Sequence, residues 1–115
     1  MQENQAEEST EPDSEVVQEV MAEPEPQELS LIMVGDVLLH DRVEESAQQE
    51  DGSYDFTALF SNTGEMISAA DLAIVNQEVI IGGEGLGISG YPAFNAPYAI
   101  GDALAAAGFD IICHG

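Results

Sequence analysis

From Leu29 onward, three short apolar runs alternate with stretches of mixed character. The first, "LSLIMVG", is almost continuously apolar and is flanked by polar chain. That pattern predicts a strand buried in a parallel sheet rather than a half-exposed strand with strict alternation. "DLAIVNQEVII" predicts a second buried strand and "FDIICHG" a third. Between the first two, "DRVEESAQQ" (Asp41 to Gln49) has helix-compatible composition, and Asp51-Gly52 marks a turn. Phe56, Leu59, Phe60, Ile67 and Ala70 then fall at helical spacing, with a break near Asn62-Thr63-Gly64. Before the third strand, the glycine-crowded Gly82 to Pro92 predicts a long loop, and "YAIGDALAAAGFD" a helix stopped at Gly108. Strand, helical crossover, strand, loop and helix, strand is the order of an α/β fold with parallel strands and right-handed crossovers.

Composition divides the chain into two parts. Residues 1–28 are dominated by Glu, Gln, Ser and Pro without aromatics, and they cannot bury enough apolar surface to offset their ordering entropy. They are expected to form a disordered acidic tether, leaving 29–115 as the folding unit. The 115 residues carry 23 acidic side chains and a single basic one, Arg42, for a formal net charge of -22. Such a balance argues against binding nucleic acid or anionic lipid through basic contacts. It also predicts that salt or divalent cations stabilise the fold by relieving self-repulsion. One cysteine, Cys113, allows no intrachain disulfide. No apolar run has membrane-spanning length, so membrane association would require a segment not present in these residues.

Parallel sheets gather ligands at the carboxyl ends of their strands, here Gly35-Asp36, Asn76-Gln77-Glu78 and Cys113-His114-Gly115. Asp36, Asn76 and Glu78 would share one edge if their strands are neighbours. They offer hard oxygen donors suited to Mg²⁺, Mn²⁺ or Ca²⁺, although Asp and Asn at such places also simply form turns and caps. His40 lies four residues after Asp36 and would share its face if the chain turned helical there. Asn95 either caps the following helix or faces a substrate cleft, with capping the simpler expectation. Adjacent residues on a strand point to opposite faces, so Cys113 and His114 do not form a nucleophile and base pair, and Cys113 is expected to be buried. The glycine-rich loop does not sit tightly between a strand and a helix and no lysine follows it, which removes a phosphate-binding reading.

"LIMVGDVLLH", "ADLAIVNQEVII", "YPAFNAP" and "IGDALAAAGFDIICHG", in that order, resemble the opening part of the capsule-synthesis CapA family. That family is associated with poly-γ-glutamate capsules and related to calcineurin-like metallophosphatases. The resemblance implies the opening βαβαβ part of a metallophosphatase-like layered fold. It places Asp36 at the family's first strand-end aspartate, and Asn76 and Glu78 at its Asn-x-Glu positions, as metal ligands. His40 and Asn95 would be substrate-facing or supporting residues. A divalent metal is implied (Mn, Mg, Fe or Zn), as is a cell-surface or secreted location. The partner would be an anionic surface polymer or its precursor during capsule synthesis, attachment or release. The family's later Asn-His motif and further histidines are not matched, and "CHG" does not replace them. The chain therefore reads as an amino-terminal fragment, inactive alone. The alternative is a cation- or partner-binding α/β module without catalysis.

Overall fold

The computed structural model describes residues 23–115; most of the acidic segment assigned to a tether, 1–22, lies outside the described residues. Residues 23–28 are exposed and have no regular structure. Beyond them run β1 (Leu31–Val37), α1 (Asp41–Ala47), a 3₁₀ turn (Thr57–Phe60), α2 (Gly64–Ala69), β2 (Leu72–Gln77), a second 3₁₀ turn (Glu84–Leu86), α3 (Ala99–Ala107) and β3 (Ile111–His114). The three strands form one parallel sheet in the order β1-β2-β3. This is the α/β alternation that the apolar runs predict.

The sheet is covered on one side. Right-handed crossovers between strands that succeed one another in a single direction place both connections on the same face. β2 shows the result: Ala73, Val75 and Gln77 are buried, whereas Leu72, Ile74 and Asn76 on the opposite face are only partly covered. Under the covered face Val75 packs in one cluster with Leu39, Phe56, Val79, Ile100 and Leu104, all of them nearly inaccessible to solvent. β1 does not match its predicted burial. It lies at the sheet edge, and Met33 is 68% exposed. Cys113, expected to be buried, is also exposed, because β3 is the other edge and Cys113 pairs with Asn76 on the open face.

Two carboxylates fasten the strands at their amino ends. Asp71 Oδ2 accepts from the Ser30 N–H at 2.8 Å and from its hydroxyl at 3.0 Å, while the Asp71 N–H donates to Ser30 Oγ at 2.8 Å. Asp110 Oδ2 accepts from the Ala73 N–H at 2.9 Å, and the Asp110 N–H donates to the Ala73 carbonyl at 2.9 Å. Gly108 ends α3 in the left-handed region with φ 104°, and a Cβ there would stand 3.0 Å from Ser68 Cα. It is the helix stop that the sequence predicts, enforced by both backbone conformation and the approach of α2.

Gly108→Ala is expected to destabilise the fold by about 1–3 kcal/mol in urea denaturation, since both the left-handed φ and the close Ser68 backbone oppose a side chain. An unchanged midpoint would contradict this. The Ser30 backbone N–H, then its hydroxyl, hold the Asp71 carboxyl below the ordinary carboxylate range. A depressed folded-state pKa gives stability that is present above the unfolded pKa and is lost as pH falls through the folded one. Asp71→Asn should therefore unfold at lower urea than the parent at neutral pH, and the gap should close in acid. A gap independent of pH would remove the charge from the explanation.

Candidate functional site

The carboxyl ends of β1 and β2 hold the chemistry. Asn76 near the end of β2 and Glu78 just past it are two residues apart and so project from one face, the open one, with Gln77 buried between them on the other. Asp36 would not join them by simple alternation. Leu31 pairs with Leu72 and Met33 with Ile74, but the next pair on that face is Asp36 with Asn76. β1 thus spends three residues where β2 spends two, a bulge that turns Asp36 to the open face. β-Bulges recur beside functional sites because they re-aim a side chain in this way.

The result is a compact constellation. Asn76 Nδ2 donates to Asp36 Oδ1 at 2.8 Å and to Glu78 Oε2 at 3.0 Å, so one amide bridges two carboxylates. Gly115 closes against them: a Cβ there would lie 2.6 Å from Glu78 Oε2 and 2.8 Å from Asn76 Nδ2. Only glycine permits so close an approach, since a side chain there would collide with both residues. The three predicted residues are thereby brought together, as two exposed carboxylates and a half-buried amide.

The other two predicted residues lie elsewhere. His40 precedes α1 as its N-cap, while Asp36 remains in β1, so the two do not share a helical face. Its ring instead packs edge-on against Phe94 at 5.1 Å, and Tyr91 meets Phe94 at 6.2 Å. Phe94 in turn lines, with Glu78, Ile80, Pro92 and Gly115, an open cleft of about 430 Å³. Asn95 does not cap α3, whose N-cap is Tyr98. Its side chain accepts from the Gly82 N–H at 2.8 Å and donates to the Gly83 and Gly87 carbonyls at 3.0 and 2.9 Å, stapling the glycine loop. Sequence reasoning missed the cleft wall. The aromatics of "YPAFNAP" were the available signal, but nothing local sets them beside Glu78.

Chemically, two carboxylates offer hard oxygen donors, and Asn76 would add its amide oxygen on turning its side-chain amide over, since here Nδ2 faces both carboxylates. That set fits a divalent cation in donor type. Three donors fall short of a full coordination shell, and among the described residues no three His, Cys, Asp or Glu side chains converge on one point.

The family model described as bacterial capsule synthesis protein PGA_cap matches residues 30–115. No curated protein and no solved structure matches the chain.

Asn76→Ala would leave Asp36 and Glu78 facing each other without the bridging N–H. The melting temperature is expected to fall most at low ionic strength. The deficit should shrink as the screening length drops from about 30 Å at 0.01 M to about 3 Å at 1 M salt. An equal deficit at both salts would mean that only packing was lost.

Proposed function

The chain belongs to the bacterial capsule synthesis protein family, and from that premise we propose that it serves the synthesis, attachment or release of an anionic capsule polymer, poly-γ-glutamate or its precursor, at the cell surface. The work is done through a divalent metal ion held by Asp36, Asn76 and Glu78. The observation that carries this reading is the bridge from Asn76 to both carboxylates on the open face. Two adjacent carboxylates in a chain of net charge -22 repel each other, and a cation offsets that repulsion. An anionic polymer cannot approach this chain on charge complementarity, so a bound cation also accounts for how such a partner docks.

In this reading Asp36 and Glu78 supply the negative charge, and Asn76 fixes their separation. Phe94, Ile80 and Pro92 form the wall against which the carbon part of the polymer rests beside Glu78. His40 braces that wall through Phe94. When bound, a divalent ion supplies Lewis acidity toward a phosphoryl or carboxyl oxygen. No helix among the described residues is long and apolar enough to cross a membrane. The short donor count supports inactivity of the 115-residue chain alone. The exposure of the donors equally favours a second reading, a cation-dependent binding module without turnover.

Titration of the chain with Mn²⁺ is expected to raise its melting temperature, and Asp36→Asn or Glu78→Gln should weaken binding by at least the roughly 10-fold that loss of even a supporting group costs. Poly-γ-glutamate should bind only with Mn²⁺ present. Metal-independent polymer binding, or Mn²⁺ binding unaltered in both variants, would overturn the proposal. Phosphoester hydrolysis by the chain alone would reject both inactivity and the binding-module reading.

A further inference from the structure

A second group of acids lies away from the strand ends, on α1. Glu44 and Glu45 lie three and four residues after Asp41 and so share its side of the helix, and Gln48 is the C-cap that ends it. With Tyr54 and Ile88 they line a cavity of about 150 Å³ between α1, the chain after it and the glycine loop. The loop packs closely here, since Gly90 stands where any Cβ would collide with the Asp41 carboxylate.

Glu44 makes this cavity unlike a solvated acidic face. It is only 5% exposed, and its Oε1 is buried with no hydrogen-bond partner among the described residues. A buried carboxylate without a donor is costly. Nothing lining the cavity offers a cation: the side chains are three carboxylates, an amide, a phenol and an isoleucine. Burial first, then the neighbouring Asp41 charge, push the Glu44 carboxyl up, while His40 pulls it down. The same negative field and the same acceptor-rich lining suit a hard cation. Calcium tolerates irregular oxygen sets completed by water, whereas magnesium demands a near-ideal octahedron. No three acidic or histidine side chains converge on one point among the described residues, so such an ion would take part of its shell from Gln48, Tyr54 and water.

We propose that the cavity between α1 and the glycine loop is a calcium site, with Glu44 and Asp41 as its carboxylate ligands and Gln48 and Tyr54 at its wall. The site is separate from the strand-end constellation and does not depend on the function proposed for it. Bound there, calcium joins α1 to the glycine loop and neutralises the buried acid.

Tyr54 supplies a local reporter, because terbium(III), a luminescent substitute for calcium, emits when excited through a nearby tyrosine. The full chain is expected to give tyrosine-sensitised Tb³⁺ emission that added Ca²⁺ displaces. Glu44→Gln should weaken binding at least the roughly 10-fold that loss of a supporting group costs, and Asp36→Asn should leave it intact. Tyr54→Phe should lose most of the emission while keeping every carboxylate, which decides the matter even if Glu44→Gln fails to fold. The exposed Glu50→Gln controls for loss of one charge. Emission unchanged in Tyr54→Phe, Tb³⁺ affinity unchanged in Glu44→Gln, or equal weakening by Glu50→Gln, would overturn the site. The last result would show cations merely condensed on an acidic surface.

Discussion

The structure depends on how β1 registers against β2. Hydrogen bonding to β2 fixes which face each β1 side chain takes, and one additional residue between Met33 and Asp36 changes that face. Under strict alternation Asp36 would project to the side of Ile32, whose partner Ala73 is buried beneath the helices. A carboxylate there would have to be desolvated or displaced. The bulge avoids that cost and sets Asp36 beside Asn76 instead. At the opposite end of the sheet the Ser30–Asp71 clamp pegs the same two strands, so the register is held on both sides of the irregularity.

A chain with so many acids must find uses for them that do not compound repulsion. The fold sorts them by the partners available. Asp51, Asp55, Asp71 and Asp110 accept hydrogen bonds from backbone N–H groups at turns and strand starts, where hydrogen bonds from Ser53, Thr57 and Ser30 hold the first three below the ordinary carboxylate range. Asp36 and Glu78 share one amide at the carboxyl ends of the strands. Glu44 lies in neither group, buried among other acceptors. The first group needs no cation, whereas the other two gather negative charge that the described protein groups do not fully answer.

The edges of the sheet explain where sequence reasoning erred. "LSLIMVG" and "FDIICHG" have the composition of buried strands, yet β1 and β3 flank β2 with one face open, so Met33, Ile111 and Cys113 are exposed. Apolar composition states that a segment suits burial without naming what buries it. His40 and Asn95 show a related limit. Both are polar residues beside a helix start, and in each case distant partners decide: Phe94 for His40, and the glycine-loop backbone for Asn95.

By itself the sequence determined the order of elements, the turn at Asp51-Gly52, the stop at Gly108 and the common face of Asn76 and Glu78. These follow from local backbone geometry and from side-chain periods of two and 3.6 residues, which act over a few positions. Only the tertiary structure decided that Asp36 joins that pair, since its bonded partner lies 40 residues away and the bulge exists only in the paired strands. It also decided that Phe94 and Gly115 border the same site and that Glu44 is buried without a donor. Faces and neighbours arise when strands pair and loops pack, so they depend on contacts that no local window of sequence contains.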